Sequence, residues 1–112
     1  MRIGRRWIDL WNECSVDEYL TQYREDVVLV SSIALRLFPE SHGRLSNKTL
    51  LKEYWELVRL KFPHFHFTVE RITFFENKVL VFYHARYLQT KVIAILTVDE
   101  EDMIYKVEIS YV

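Results

Sequence analysis

The chain is poor in the residues that staple, bend or loosen a polypeptide. It has one cysteine, Cys14, so no disulfide can form within it. A disulfide-built scaffold is excluded, and a reducing compartment, the cytoplasm, is the expected location. Two glycines and two prolines in 112 residues leave no material for a flexible linker or a low-complexity tail. No apolar run is long enough to cross a bilayer, and Arg2, Arg5 and Arg6 interrupt the stretch where a secretory signal needs continuous apolar residues. An excess of either charge is missing too: 15 basic and 16 acidic residues give a net charge of −1. That argues against nucleic acid or an anionic membrane as a partner. The small basic cluster is answered by Asp9 and Glu13 on the same segment, and reads as a solvated helix face. A glycine-rich phosphate loop, a nucleophile elbow and a zinc-protease helix are all absent, and no cofactor is expected.

What the chain has is apolar bulk. Half of its residues are apolar and 15% are aromatic, a composition for one core-rich domain spanning 1–112. Ile3, Trp7, Leu10, Trp11 and Cys14 recur at helical spacing and predict a first helix over 2–13. On that stripe Cys14 is a small hydrophobe rather than a nucleophile. Ser15-Val16-Asp17-Glu18 is a capping box that opens a second helix, with Val16, Tyr19, Leu20 and Tyr23 on its buried face. Val27 to Ser31 reads as a strand, Ile33 to Phe38 as strand or helix, and Pro39 to Arg44 as a loop. Ser46 or Asn47 caps a third helix, whose stripe is Leu51, Tyr54, Trp55, Val58 and Phe62 and which Pro63 stops.

From His64 onward the pattern predicts four consecutive strands. Glu76-Asn77 is the first tight turn, with Asn77 taking positive φ. Leu88-Gln89 is the next tip, which sets Tyr87 opposite Thr90, and Asp99 to Asp102 is the last turn. In that register Val79, Val81, Tyr83 and Ala85 share a face with Val92, Ala94, Leu96 and Val98. The reverse face holds Leu80, Phe82, His84 and Arg86 with Lys91, Ile93, Ile95 and Thr97. On the last strand Tyr105, Val107, Ile109 and Tyr111 face inward. A sheet apolar on both faces needs two covers. The helices supply one. A second copy of the chain, meeting Phe82, His84, Arg86, Ile93 and Ile95, supplies the other, with the charged end as a polar rim. These sheet aromatics alternate with Val, Ile and Leu rather than Lys and Arg, unlike a base-stacking RNA platform.

Several motifs bear on chemistry. Trp7-x-x-x-Trp11-Asn12, Asp17-x-Tyr19-Leu20, Tyr23-x-x-Asp26-Val27, Gly43-Arg44, Tyr54-Trp55 before Pro63-His64-Phe65-His66-Phe67, and Tyr111 together make the chain resemble the nuclear transport factor two-like superfamily. The likeness is greatest to its SnoaL-like branch, with polyketide cyclases, and to the ketosteroid isomerases. The resemblance implies an α+β fold: a cone-shaped, curved antiparallel sheet packed against three N-terminal helices, a pocket between them, and homodimers through the outer sheet face. Carried over by position, the isomerase oxyanion tyrosine is Trp7 here and its general base is Ser31. Its protonated aspartate is Ala94, and its supporting tyrosine is Trp55. An indole cannot cycle a proton near neutral pH, and a lone serine is a poor base. Isomerase chemistry is therefore not expected.

The expected ligand-binding residues are Trp7, Trp11, Tyr23, Ser31, Tyr54, Trp55, Val58, Tyr83 and Ala94, lining an apolar pocket for a small molecule. Two indoles at the narrow end either reduce that pocket or fill it. The alternatives are an enzyme using Tyr23, Tyr83 and Ser31 as an unusual acid–base set, and a non-catalytic dimerisation module. His64 and His66 share a strand face with Thr68 and Glu70, but two histidines fall short of a metal site, and none is expected. His42 is a solvated loop residue, and Arg86 with Glu108 makes an ordinary rim pair.

Overall fold

A computed structural model describes residues 2–13, 15–62, 66–86 and 89–111, with the Arg2 side chain set aside. Cys14, Pro63, His64, Phe65, Tyr87 and Leu88 lie outside the described residues, and with them the expectations placed there. The elements run α1 (Arg2–Asn12), α2 (Val16–Leu20), β1 (Tyr23–Val30), α3 (Ser32–Leu37), a 3-10 turn (Pro39–Ser41), β2 (Arg44–Ser46), α4 (Lys48–Lys61), β3 (Phe67–Phe75), β4 (Lys78–Ala85), β5 (Thr90–Val98) and β6 (Ile104–Tyr111). This is an α+β fold: one curved six-stranded sheet in the order β2-β1-β6-β5-β4-β3, with helices on its concave side.

Local chemistry explains the boundaries. Ser15 accepts from the Glu18 N–H at 3.4 Å and starts α2. The Thr21 hydroxyl then donates to the Glu18 carbonyl at 2.6 Å and closes that helix after one turn. Tyr23, expected on α2, therefore begins β1 instead. Ser31 likewise accepts from the Ile33 N–H at 3.2 Å, so the ambiguous segment becomes α3. Four α-helices precede β3 where three were expected. Of the two candidate caps it is Asn47 that opens α4, accepting from the Leu50 N–H at 3.1 Å. The expected loop 39–44 holds the 3-10 turn and leads into β2, a short strand that pairs antiparallel with β1. β1 also pairs with β6, and that pair is parallel, so the sheet is not wholly antiparallel.

Register corrects three further expectations. Glu76, not Asn77, takes the left-handed conformation in the β3–β4 turn, with φ 55°. Asn77 instead ties the turn down, with Nδ2 donating to the Tyr105 hydroxyl at 3.3 Å and the carbonyl accepting from Val98 N–H at 2.9 Å. Ala85, not Tyr87, opposes Thr90. The slip is two residues, an even number, so the two faces keep their membership. Finally, Thr97 pairs with Lys106 and Val98 with Ile104, which leaves Tyr105 as the extra residue of a bulge. Ile104 points inward in its place and is fully buried, while Tyr105 lies half-exposed under the Arg24 guanidinium at 5.1 Å.

The inner face is dry along its whole length. Val79, Val81, Tyr83, Ala85, Val92, Ala94, Leu96 and Val98 are all buried. α1 lies against β3 and β4 so closely that a Cβ on Gly4 would sit 2.9 Å from Ile72 Cγ2 and 3.2 Å from both Val79 Cγ1 and Val81 Cγ2. The outer face, with Leu80, Phe82, His84, Ile93 and Ile95, is half-buried. Part of that shielding comes from the chain itself: the Arg71 guanidinium lies 4.3 Å from the Phe82 ring centre.

Candidate functional site

The concave side of the sheet is filled by rings. α1 projects Trp7 and Trp11 one turn apart, and Trp11 is the hub. Its ring centre lies 5.0 Å from Tyr19, 5.6 Å from Phe67, 6.1 Å from Tyr54 and 6.4 Å from Trp55. Trp7 reaches Tyr83 at 5.8 Å, and Tyr83 meets Phe67 at 4.5 Å. Five elements, α1, α2, α4, β3 and β4, meet through these rings. Aromatic pairs at such distances gain about 0.5–1.5 kcal/mol each beyond their buried area.

Two fasteners hold the cluster. The Asn12 carboxamide accepts from the Phe67 N–H at 2.8 Å and donates to the Phe67 carbonyl at 2.9 Å, so the end of α1 is hydrogen-bonded like a strand to the start of β3. Arg59, one turn after Trp55 on α4, donates to the Trp11 and Glu13 carbonyls at the C-terminal end of α1. Its guanidinium stacks 4.4 Å from the Trp55 ring centre. The sequence reading missed Arg59 as a helix clamp. The signal was its i+4 spacing from Trp55.

All nine expected ligand-binding residues are buried. The structure brings Trp7, Trp11, Tyr23, Tyr54, Trp55 and Tyr83 together, along with Tyr19 and Phe67, which were not among the nine. Trp7 Nε1 donates to the Tyr23 hydroxyl at 2.8 Å. Ser31 stands apart. Tyr23 opens β1 and Ser31 follows its end, roughly 20–25 Å away along an extended strand. The Ser31 hydroxyl instead lies 3.4 Å from that of Tyr111. Ala94 sits mid-strand between Val81 and Ile109. Tyr23 and Ser31 therefore form no acid–base pair.

Burial pushes the pKa of Tyr19 well above the usual tyrosine range, and the Tyr23 hydroxyl beside it adds to the rise. Burial also raises Tyr23, against the lowering effect of hydrogen bonds from Tyr19 and Trp7. Both stay protonated at neutral pH. Among the described residues, the other buried polar side chains apart from the indoles and phenols are Gln22, Ser31 and Thr97. Among the described residues the cluster thus holds no carboxylate, imidazole or amine that could move a proton. Within it Trp55 Nε1 is buried with no hydrogen-bond acceptor.

Three surface clefts among the described residues are lined by none of the nine. One of them, about 540 Å³, lies between Arg24, Asn77, Asp99 and Tyr105. Among the described residues no three metal-ligating side chains converge. His66 is exposed, and Glu70 pairs with Lys91 at 3.6 Å. Glu108 pairs with Lys106 at 3.9 Å, while Arg86 is an exposed turn residue. Among the described residues no helix is long and apolar enough to cross a membrane.

A helix-backed curved sheet around a ring-filled cone defines a class, and sequence comparison places the chain within it. The chain belongs to the SnoaL-like domain family, whose family model matches residues 4–107. A SnoaL-like protein of unknown function from Burkholderia thailandensis E264 is 22% identical, with a TM-score of 0.91 over 99% of this chain and 92% of that one. A protein from Sinorhizobium meliloti, provisionally described as a polyketide cyclase, is 14% identical, with a TM-score of 0.80 over 98% and 94%. SalBIII, described as an epoxide hydrolase/cyclase-like enzyme in pyran ring formation in the polyether salinomycin, is 14% identical, with a TM-score of 0.75 over 99% and 88%. At these identities the likeness establishes fold alone. No curated protein matches the chain significantly.

Proposed function

We propose that this SnoaL-like protein holds a small, mainly apolar molecule between helices and sheet and does not convert it. The observation that carries the reading is the orphaned Trp55 N–H inside a cage of rings. A buried donor without an acceptor costs about 1–3 kcal/mol, and a ligand oxygen would remove that cost. Trp7, Trp11, Tyr23, Tyr54, Trp55, Val58 and Tyr83 contact the apolar body. Ser31 and Ala94 lie beside half-buried Tyr111 and Ile109, the neighbours that give way at least cost. Related folds that host cyclases make the cone a natural container for a fused-ring ketone. Without a buried proton-transfer group, containment is what remains.

The probe is trans-decalone, a bicyclic ketone with one acceptor oxygen. All three tryptophans of the chain, Trp7, Trp11 and Trp55, belong to the cluster, so their fluorescence reports its occupation. Titration should give a saturable change and a raised melting temperature, and Trp55→Phe should weaken both. No saturable change would leave the closed dimerisation module. We also propose that a second copy covers the outer face through Phe82, His84, Arg86, Ile93 and Ile95, in the cytoplasm. Light scattering should then return twice the chain mass at micromolar concentration.

A further inference from the structure

At the far end of β1 from Ser31 lies a cleft of about 330 Å³ that shares no residue with the aromatic cluster. Its walls come from three places: Ile3 and Arg6 on α1, Thr21 and Gln22 between α2 and β1, and Asp102 and Met103 before β6. The segments are locked to one another. Ile104 N–H donates to the Gln22 carbonyl at 2.9 Å, and Arg6 donates to the Thr21 hydroxyl at 3.3 Å. The anomaly is the Gln22 side chain. It is 9% exposed, yet its Nε2 and Oε1 are both sealed from water and without a hydrogen-bond partner. A primary amide brings two donors and an acceptor, and burying all of them unmet is a standing deficit.

We propose that this cleft is a second ligand site, for a small neutral molecule that presents an amide or lactam edge to Gln22. Three features select that chemistry. The carboxamide needs a partner that donates and accepts side by side, which a lactam does and a ketone or an alkane does not. Half-buried Ile3 and Met103 offer apolar walls for the ring. Arg6 and Asp102 stand on the rim with opposite charges, so neither a cation nor an anion gains without opposition. On binding, the amide swings toward the cleft that Gln22 helps to line. The volume lies within the range of small-molecule sites and accommodates a six-membered ring with a substituent.

The test titrates the protein with δ-valerolactam, and with cyclohexanone as the shape-matched control, while the Gln22 side-chain NH2 resonances are followed by ¹⁵N NMR. A saturable shift is expected with the lactam, about tenfold tighter than with cyclohexanone, the factor one satisfied hydrogen bond confers. Gln22→Leu, followed through the backbone amides of Thr21, Met103 and Ile104, should abolish that preference without lowering the melting temperature, because it removes the unmet amide. Should Gln22→Leu fail to fold, Met103→Trp, which fills the cleft from the segment before β6 and leaves Gln22 intact, should abolish the shift. Equal affinity for lactam and ketone overturns the proposal. So does an unchanged shift in Met103→Trp, or a crystal structure in which ordered water satisfies both amide atoms and lactam soaks do not displace it.

Discussion

Replacing Asn12 with alanine should reach well beyond its own helix. The Asn12 side chain is half-buried and makes two hydrogen bonds, 2.8 and 2.9 Å, to the backbone of Phe67, 55 residues away. Each net hydrogen bond is worth about 1 kcal/mol, and each buried backbone group left unmet costs about 1–3 kcal/mol. Because the site is only half-buried, water recovers part of that, and the expected loss is about 2–3 kcal/mol. That is a large share of the roughly 5–15 kcal/mol that stabilises a domain of this size. Asn12→Asp sharpens the argument. Its carboxylate still accepts from the Phe67 N–H but faces the Phe67 carbonyl with an acceptor where a donor stood. Ionisation is disfavoured in the fold, so the pKa of that carboxyl rises above its unfolded value. Relative to the native chain, Asn12→Asp should be least impaired at acid pH and lose stability as pH climbs through the raised value. Urea unfolding followed by tryptophan fluorescence gives the free energies, and hydrogen exchange at the Phe67 amide gives the local opening. A change below about 0.5 kcal/mol for Asn12→Ala, the scatter of ordinary surface substitutions, with Phe67 protection intact, would refute the strand-like role of this side chain.

Trp55→Ala should cost about 3–5 kcal/mol in the same urea assay, since the ring is 5% exposed and touches Trp11, Tyr19 and Arg59; a negligible change would put Trp55 on the surface. Gly4→Ala should lose about 1 kcal/mol even though alanine is the better helix former, because overpacking at about 1–3 kcal/mol outweighs a propensity gain of about 1. Combining it with Ile72→Ala, which deletes the atom 2.9 Å away, should recover most of that loss in thermal melts. Absorbance at 295 nm should show Tyr19 and Tyr23 ionising only as the chain unfolds. Their folded pKa values lie above the unfolded value of about 10, so stability is full below that pH and falls as pH rises beyond it. Two tyrosines titrating normally in a folded chain would contradict their burial.

The parts legible in the sequence were those set by strict periodicity. Alternation in 78–85 and 90–98 assigned both sheet faces, and a two-residue error in the hairpin left them intact because the pleat repeats every two residues. The bulge at Tyr105 adds one residue, and there alternation failed, reversing Tyr105 and Ile104. Tyr23 was misplaced because a stripe of Val16, Tyr19, Leu20 and Tyr23 keeps helical spacing past the point where the Thr21 hydroxyl ends the helix. Short β2 carries no pattern of its own, since Arg44–Ser46 owes its conformation to the β1 edge. Within the site, the rings were readable as inward-facing. Their mutual contacts were not, and neither was the orphaned amide of Gln22. A side chain's lack of partners depends on everything that fails to surround it.

The parallel pairing of β1 with β6 has a consequence for biosynthesis. β6 is the last strand to emerge from the ribosome, yet it occupies the middle of the sheet, between β1 and β5. One edge of β1, with Tyr23, Val27 and Leu29, has no strand to pair with until β6 is out. Nascent chains of this topology therefore wait with β1 paired on one side at most, and its closure onto β6 is a long-range contact of the kind that forms slowly. A holding chaperone would find its substrate along the waiting edge of β1.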